Sequence, residues 1–493
     1  MAKRRPATLG ALRASGYRPR PVKQEVRENL LRKLEAREPL FPGILGYERT
    51  VIPGIVNALL ARHDFILLGL RGQAKSRLLR QLPSLLDDEL PVLAGVPLND
   101  DPFAPASTTG MRIVAEAGDD APVEWLPREA RYNEKLATPD VTIADLIGDV
   151  DPIKAATRKL TFADPEVIHF GIVPRSNRGI FAINELPDLA PRIQVGLLDI
   201  LEERDIQVRG FPLRVPLDLL MVFSANPEDY TNRGSIITPL KDRISSQILT
   251  HYPADTETAL AVTRQEAWTE RSGPRVVVPR EFQMLIEEIS VAARSSDLVD
   301  QSSGVSARVA IAAQELLVSN LERRALATGD DAVAPRLSDL ETVLPAITGK
   351  VEMVYEGEQQ GPALVARALV GAAVKRAFLQ HFPAPGRDGD ADAGPYAEVV
   401  RWFAAGNALT LSDEQPAAEH LEALRSVPGL WRLVADRAPD DPSRVFLAEL
   451  VLEGLHQHAR LAREDMDSGV SYREAVKFQV LRRAARGETR DAN

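Results

Sequence analysis

Residues 64–76 read DFILLGLRGQAKS, an apolar run followed by a glycine-bearing segment that ends in lysine and serine. Its apolar run, Phe65–Leu70, is short and bounded, which is typical of a strand in a parallel sheet covered on both faces. The residues that follow have apolar positions at helical spacing. Between the strand and the helix, Gly69, Lys75 and Ser76 match the pattern G-x-x-x-x-G-K-[ST]. The sequence therefore predicts a strand, a phosphate-binding loop and a helix.

In such a loop the backbone N–H groups wrap a phosphate, and the start of the helix adds the positive end of its dipole. Lys75 would reach the β- and γ-phosphates, and the Ser76 hydroxyl would ligate Mg²⁺. Ala74 departs from the pattern, because it occupies the position of the second glycine. A residue with a β-carbon tolerates right-handed helical backbone but not positive φ, so we expect Ala74 to stay right-handed. Gly72 gives the loop another flexible point.

Two further apolar runs end in polar residues. The run GIFAIN ends at Asn184 and is followed by Glu185, and the run from Leu217 ends at Asn226. Helical stretches lie between the runs, and strands that alternate with helices indicate a parallel α/β sheet. The magnesium-binding strand that accompanies a phosphate loop usually ends in Asp-Glu. Asn184 brings an amide where that pattern has a carboxylate. Mg²⁺ prefers anionic oxygens, so we expect the ion to bind more weakly. The alternative to a functional role is, for Asn184 and Glu185, a buried strand with a polar cap. For Asn226 it is an asparagine that starts a turn.

Two arginines are candidates for contacts with a phosphate. Arg243, in LKDRI, would stabilise charge on a transferring phosphoryl group, and its alternative is a surface ion pair with Asp242 or another acid. Arg308 follows Gly304 and opens a predicted helix, where a cation is mildly unfavourable to the helix dipole. Its alternative is a solvated arginine in the first helical turn.

Composition limits the remaining possibilities. The 493 residues contain no cysteine, which excludes disulfide frameworks and thiolate metal sites. The formal net charge of −10 gives no global attraction to nucleic acid, and none is expected as a partner. No apolar run approaches the roughly 18 residues of a membrane-spanning helix, and no secretory signal pattern is present, so we expect a cytoplasmic protein without membrane insertion.

The chain divides into four predicted parts. Residues 1–24 are rich in Arg, Lys and Pro and favour a mobile basic tail. Residues 95–135 carry few periodic signals and predict loop with short strands, and amphipathic helical patterns replace the α/β pattern from about residue 255. The predicted domains are a basic tail with a short helix (1–40), a nucleotide-binding core (41–254), a helical lid (255–350) and a helical C-terminal region (351–493). The last of these has a predicted flexible loop at 383–395.

Taken together, these motifs resemble the AAA+ ATPases, in the branch that contains the MoxR ATPases and the ATPase subunit of magnesium chelatase. The resemblance covers roughly residues 41–345. It also includes the segments GILGYE, LPVLAGVPLNDDP, TPDVTIADLIGDVD, FGIVPRSNRG and LLDILEERDIQV, which begin at residues 43, 90, 138, 170 and 197.

The resemblance implies an αβα P-loop core with a parallel sheet, a helical lid, and a ring, expected to be a hexamer, with ATP and Mg²⁺ between neighbouring subunits. Its nucleotide-binding residues would be Gly46, Gly69, Gly72, Gln73, Ala74, Lys75 and Ser76, with Ser76 and Asn184 holding Mg²⁺, the latter through water. Its catalytic residues would be Glu185, Asn226, Arg243 as the finger acting on the next subunit's ATP, and Arg308 as the sensor on the lid, with Arg233 as an alternative finger. A partner protein with a von Willebrand A domain is also implied.

Three functions stay open at this point. The leading hypothesis is an ATP-driven motor that remodels a partner protein or assists metal or cofactor insertion, as MoxR ATPases do. The second is the motor subunit of a magnesium-chelatase-type complex, against which Asn184, Ala74 and the extra C-terminal region argue. The third is a nucleotide-gated scaffold with weak turnover, which Asn184 and Ala74 favour and the hydrolysis residues oppose.

Overall fold

The computed structural model describes residues 5–158, 167–207, 214–227, 235–386, 394–466 and 468–475. These residues form two compact units, Met1–His251 and Tyr252–Asn493, and each is described by itself. The finer division into tail, core, lid and C-terminal region stays a prediction.

The first unit alternates strands and helices along most of its length. Its elements are α1 (Leu9–Ala14), α2 (Val22–Glu35), α3 (Val51–Leu60), β1 (Phe65–Leu68), α4 (Lys75–Leu79), β2 (Glu89–Leu93), α5 (Thr108–Ala117), β3 (Val123–Pro127), β4 (Tyr132–Leu136), α6 (Ile143–Leu146), β5 (Gly148–Val150), α7 (Pro152–Arg158), β6 (Ile168–Phe170), α8 (Ile172–Arg175), β7 (Gly179–Asn184), α9 (Pro191–Val195), α10 (Leu198–Glu202), β8 (Asp205–Gln207), β9 (Arg214–Pro216), β10 (Leu219–Ala225), α11 (Thr238–Arg243) and β11 (Ser246–Leu249).

Five of these strands form one parallel sheet in the order β11-β1-β10-β7-β4. The first strand of the sheet in the chain, β1, therefore lies between the last two, and the carboxyl ends of all five strands meet at one edge. Leu68 lies opposite Ala225, and Asn184 lies opposite Leu136, so the polar residues that follow these strands are brought together. This arrangement positions the candidate site.

Both faces of the sheet are covered by apolar side chains. Along β10, Leu219, Met221 and Phe223 pack into one hydrophobic cluster, together with residues of α9 and α10. Leu220 and Val222 point to the other face and pack with residues of α2 and α3. The alternation places helices on both sides of the sheet, which confirms the predicted αβα core with a parallel sheet.

The N-terminal segment is built into the first unit, so the prediction of a mobile tail over residues 1–24 is wrong for the part that the structure describes. Leu9 and Leu12 of α1 are fully buried, and the backbone N–H of Leu9 donates to the Ala121 carbonyl at 2.9 Å. Glu25 of α2 forms a buried ion pair with Arg131 through bonds of 2.6 and 2.7 Å. The basic composition hid a sparse apolar pattern whose partners lie far along the chain.

The second unit is helical at its start and mixed at its end. Its elements are α12 (Thr256–Glu266), β12 (Arg275–Val276), α13 (Arg280–Arg294), α14 (Arg308–Thr328), β13 (Ala332–Val333), α15 (Leu344–Thr348), α16 (Tyr355–Gln360), α17 (Pro362–His381), α18 (Ala397–Ala404), β14 (Leu409–Ser412), α19 (Ala417–Arg425), α20 (Leu430–Val434), α21 (Asp441–Gln457), β15 (Leu461–Met466) and β16 (Gly469–Glu474). Phe282 of α13, Leu317 of α14, Phe378 of α17 and Phe446 of α21 are fully buried in one cluster.

The described part of region 351–493 contains the helices that the sequence predicts, but it also contains three strands that the sequence does not predict. Strands β14, β16 and β15 form an antiparallel sheet in that order. The charged residues of LAREDM and SYRE suit a helix as well as a strand, but Val470 and Tyr472 are buried at a spacing of two residues. The predicted flexible loop at 383–395 falls largely on residues 387–393, which lie outside the described residues. No membrane-spanning helix is found among the described residues.

Candidate nucleotide site

The phosphate loop joins β1 to α4 and turns through two residues of positive φ. Gly72 has a φ of 73°, and Ala74, which precedes the first residue of α4, has φ 56° and ψ 16°. The expectation of right-handed backbone at Ala74 is therefore wrong. The chain must reverse here to start the helix, and an L-residue in this region costs roughly 1–2 kcal/mol. Backbone strain of this kind persists where the surrounding structure imposes it, and it clusters at functional sites.

Contacts around Gly69 and Gln73 hold the loop. A β-carbon on Gly69 would lie 2.0 Å from the Thr250 hydroxyl oxygen and 2.2 Å from the Gln73 side-chain oxygen, so the position admits only glycine. The Thr250 hydroxyl donates to that Gln73 oxygen at 2.6 Å. The hydroxyl of Tyr47 lies 3.0 Å from the Gln73 carbonyl oxygen and 2.8 Å from that of His251. Tyr47 and Thr250 are loop-holding residues that sequence reasoning missed.

Gly46 lies immediately before Tyr47, in the loop that leads to α3, with a φ of 80°. Its backbone N–H donates to the Glu48 carboxylate at 3.2 Å. The glycine is thus suited to a turn that glycine alone adopts freely, and it brings Tyr47 onto the phosphate loop. A contact of Gly46 with adenine stays a prediction.

Three predicted residues, one at the start of α4 and two just beyond the ends of β10 and β7, form one chain of hydrogen bonds. The buried Lys75 ammonium donates to the carbonyl oxygens of Gly69 and Leu70, and to the Asn226 side-chain oxygen at 2.7 Å. The Asn226 amide nitrogen in turn donates to the Glu185 carboxylate at 2.5 Å. Glu185 has φ 56° and ψ 47°, so it is a second strained residue of this edge. The parallel sheet thus connects the end of β10 with the phosphate loop and with the residue after β7.

A second group surrounds Asn184, the last residue of β7. Its side-chain oxygen accepts from the Ser224 hydroxyl at 2.9 Å and from the Ser76 hydroxyl at 3.4 Å. Its amide nitrogen donates to the carboxylate of Glu134, on the neighbouring strand β4. Because an ionised carboxylate only accepts hydrogen bonds, the amide nitrogen must face Glu134 and the amide oxygen must face Ser76.

Glu134 is the acidic residue nearest to this strand end that the sequence did not reveal. Arg80, which caps the C-terminus of α4, donates to both of its oxygens, at 2.8 and 2.9 Å. The hydrogen bonds and charge of Arg80 hold the pKa of Glu134 below its usual value, although partial burial acts in the opposite direction. The carboxylate is therefore ionised at neutral pH. Its strand, YNEKL, is polar and only half-buried, so it lacks the apolar run that marks β1, β7 and β10.

The residues at Ser76 fit a weakly held magnesium ion. A hydroxyl oxygen and a carboxamide oxygen face each other, and Mg²⁺ takes oxygen ligands while keeping several waters and substrate phosphates. The described residues contain no group of three or more His, Cys, Asp or Glu that could hold a metal by themselves. The site therefore suits a cation that arrives with a phosphate ligand.

The predicted arginines are not part of this cluster. Arg243, at the end of α11, pairs with Glu202 through its Nε at 2.6 Å, and its Nη1 donates to the Pro239 carbonyl at 3.1 Å. Arg308 is the first residue of α14, in the second unit, and its side chain is exposed. Arg233, the alternative finger, lies outside the described residues. The roles of all three arginines stay predictions.

Comparisons with known proteins give distant structural matches. No family model matches the chain, and no curated protein does. Matching solved structures include the complex of the magnesium chelatase subunits BchI and BchD, with 20% identity over 65% of this chain and 98% of that chain and a TM-score of 0.34. A candidate ATPase from Cytophaga hutchinsonii matches with 15% identity over 71% of this chain and 95% of that chain, with a TM-score of 0.27. NtrX from Brucella abortus matches with 15% identity over 85% and 72%, with a TM-score of 0.35.

These identities and scores are too low to assign a family or a function to this chain. The fold assignment rests instead on the chain's own structure: five parallel strands with β1 between β10 and β11, helices on both faces, and a loop with residues of positive φ between β1 and α4. The first unit is an αβα fold with the architecture of a P-loop nucleotide-binding protein.

Proposed function

We propose that this protein is an AAA+-type ATP hydrolase that uses ATP binding and hydrolysis to remodel a partner protein or to assist metal or cofactor insertion, as MoxR ATPases do. The observation that carries the proposal is the hydrogen-bonded chain from Lys75 through Asn226 to Glu185. It connects a phosphate-binding cation, a carboxamide and a carboxylate at one sheet edge. A strand-end cap or an ordinary turn does not require these three groups in contact.

Each residue has a separate role in this proposal. Lys75 exchanges its loop carbonyl oxygens and Asn226 for the phosphates of ATP. Asn226, once released by Lys75, holds the attacking water and reports the γ-phosphate. Glu185 accepts a proton from that water or orients it, a contribution of about 10²–10⁴ in rate for general bases. The hydrogen bond between Glu185 and Asn226 couples the base to the presence of nucleotide.

Ser76 and Asn184 would hold the magnesium ion, Ser76 directly and Asn184 through a bound water. The ion, when bound with ATP, neutralises charge on the phosphate oxygens. The amide of Asn184 offers an oxygen ligand for a metal-bound water but brings no negative charge of its own to the magnesium side of the site.

The proposal includes a cytoplasmic ring, expected to be a hexamer, in which Arg243 reaches the ATP of the neighbouring subunit and Arg308 senses the nucleotide from the lid. The ion pair of Arg243 with Glu202 is partly exposed, and such pairs contribute about 0.2–1 kcal/mol, so assembly can replace it. The von Willebrand A partner rests on the resemblance alone. Residues 351–493 lie beyond the resemblance and would select the client.

A second candidate is a nucleotide-gated scaffold with weak turnover, and Asn184 and Ala74 favour it. Asn184 lowers the charge at the magnesium site, and Ala74 carries a methyl group at a left-handed position of the phosphate loop. The magnesium-chelatase motor is the third candidate, and Asn184, Ala74 and the extra C-terminal region argue against it.

Steady-state hydrolysis of Mg-ATP, measured over a range of protein concentrations, tests the proposal. Lys75→Ala should lose ATP binding, and Glu185→Gln should bind ATP but lose turnover by at least about 100-fold. Glu203→Gln, which changes an exposed acid at the C-terminal end of α10, is the matched control and should behave as wild type. Turnover per subunit that rises with concentration supports sites shared between subunits. Tight ATP binding without turnover in the wild type would support the scaffold instead.

A further inference from the structure

Asn184 leaves the magnesium side of the site without a charge on its own strand, but a carboxylate lies on the next strand. Strand β4 runs parallel to β7, with Glu134 opposite Ala182 and Leu136 opposite Asn184. Glu134 and Asn184 therefore point to the same face of the sheet, the face that carries α4. On α4 and its cap, Ser76 and Arg80 are four residues apart, one helical turn, and they contact Asn184 and Glu134 respectively.

The contacts of Glu134 fix the orientation of the Asn184 side-chain amide. One carboxylate oxygen accepts the Asn184 amide, and both oxygens accept from Arg80 at 2.8 and 2.9 Å. The amide oxygen of Asn184 is thereby fixed toward Ser76, and the Ser224 hydroxyl, 2.9 Å away, supports the same orientation. An amide that donates to a carboxylate is polarised, and its oxygen becomes the stronger acceptor.

We propose that Glu134 is the positioning residue for the divalent cation that accompanies ATP. Acting through Asn184, it supplies the negative charge that an aspartate supplies where the strand ends in Asp-Glu. The inference rests on the proposed function, because it concerns the cation of bound Mg-ATP. Glu134 does not touch the cation in this arrangement. It acts on the amide that holds the cation's water, and its charge lies one side chain away.

The same geometry explains why an amide is suitable at position 184. An aspartate there would bring a second carboxylate within hydrogen-bond distance of Glu134, and two like charges at that distance repel each other. Asn184→Asp alone should therefore not improve cation binding. Glu134→Gln with Asn184→Asp moves the single charge from β4 to β7 and keeps an amide–carboxylate hydrogen bond between the two positions.

The test measures the affinity for ATP, by isothermal titration calorimetry, once with Mg²⁺ and once with EDTA. The readout is the Mg²⁺ gain, defined as the dissociation constant in EDTA divided by that in Mg²⁺. Glu134→Gln should lower this gain by about 10–100-fold, as changes to partners of metal ligands do, while ATP binding in EDTA is kept. The double variant Glu134→Gln/Asn184→Asp should recover the gain to within about threefold of wild type. Asn184→Asp alone should not exceed wild type.

Two controls keep the test decisive. Glu129→Gln removes one negative charge from an exposed position five residues before Glu134 and should leave the gain unchanged. Glu134→Asp keeps the charge and should retain more of the gain than Glu134→Gln, which separates charge from a general loss of folding. A wild-type gain in Glu134→Gln, or a double variant no better than Glu134→Gln, would overturn the inference while leaving the proposed function intact. A wild type that does not bind ATP would instead refute the proposed function, and the inference with it.

Discussion

Both units of the chain bury charged side chains, but they use them in different ways. In the first unit, Lys75 and Glu185 lie at the edge of the sheet beside backbone of positive φ, and both are connected through one asparagine. In the second unit, Arg324 and Asp339 form a pair with a 2.7 Å contact, and their side chains are 6% and 2% exposed.

The charged residues around Arg324 and Asp339 also form hydrogen bonds within the second unit. Arg336 donates to the carbonyl of Ser412, Glu449 accepts from His420 at 2.6 Å and from the Leu337 backbone at 2.6 Å, and Glu453 accepts from Tyr472 at 3.0 Å. The bonds to Ser412 and from Tyr472 reach the antiparallel sheet of the same unit, and the bond between His420 and Glu449 joins α19 to α21. Lys75 and Glu185 thus lie beside a loop shaped for a ligand, whereas Arg324 and Asp339 satisfy each other. Substitutions at the first pair should therefore act on turnover, and substitutions at the second pair should act on stability.

The largest expected effect concerns Arg243. If it acts as a finger, Arg243→Ala should lower turnover by about 10³-fold or more, by analogy with arginine fingers elsewhere, and change the free energy of unfolding by less than about 1 kcal/mol. Glu202→Ala is the matched control, because it breaks the same ion pair but leaves the arginine in place. Turnover assays and thermal unfolding check both. Equal losses of turnover in the two variants would show that the ion pair, and not a finger, is what matters.

The second prediction concerns the stability of the second unit. Arg324→Ala leaves Asp339 buried without its partner and should lower the free energy of unfolding by about 3–5 kcal/mol. Arg323→Ala, at the exposed neighbouring position of α14, should change it by less than about 0.5 kcal/mol. Three of the four tryptophans, Trp268, Trp402 and Trp431, lie in the second unit, so fluorescence during urea unfolding follows this unit. Similar costs for the two arginines would contradict a structural role for the buried pair.

Glu287 of α13 tests the second unit through pH. Burial raises the pKa of Glu287 from its ordinary value of 4.5 to about 7, against the opposing effects of Thr263 and Arg294. Because the folded pKa is raised, the stabilising contribution of the neutral acid is fully present below pH 4.5 and is lost as pH rises through about 7. The shift corresponds to about 3 kcal/mol.

Glu287→Gln should therefore be more stable than wild type at pH 8, with little difference at pH 5, in urea unfolding at the two values. Glu356→Gln, at an exposed position of α16, should leave the pH dependence of the wild type unchanged. A Glu287→Gln protein that loses stability with pH as steeply as wild type would show that this carboxyl does not cause the dependence.

The smallest effect probes the strain of the phosphate loop. Ala74→Gly removes the β-carbon at a φ of 56° and should raise the free energy of unfolding by about 0.5–1 kcal/mol, after the entropy that glycine adds to the unfolded chain. Ala11→Gly, in the helix α1, should have the opposite sign and a similar size. Thermal unfolding of both proteins without nucleotide gives the comparison. Loss of stability in Ala74→Gly would mean that the loop carries no strain at this position.

Much of the first unit could be predicted from sequence, for physical reasons that differ between strands. The runs that became β1, β7 and β10 are apolar because both faces of a central parallel strand are buried, and their bounds are visible as polar strand ends. Strand β4 is half-buried and reads YNEKL, so its pattern gave no signal and Glu134 was not found. Helix α1 was also missed, because only two apolar residues, Leu9 and Leu12, mark its buried face.

The phosphate loop, the polar residues that end two strands, and the change from α/β to helical patterns near residue 255 can be predicted without a structure, because each depends on neighbouring residues. The folded chain was needed to show that β4 lies beside β7, that Glu134 therefore meets Asn184, and that Ala74 is left-handed. These features depend on strand order and on contacts between residues tens of positions apart. Local propensity and periodicity do not encode such contacts, because they arise only when the sheet assembles.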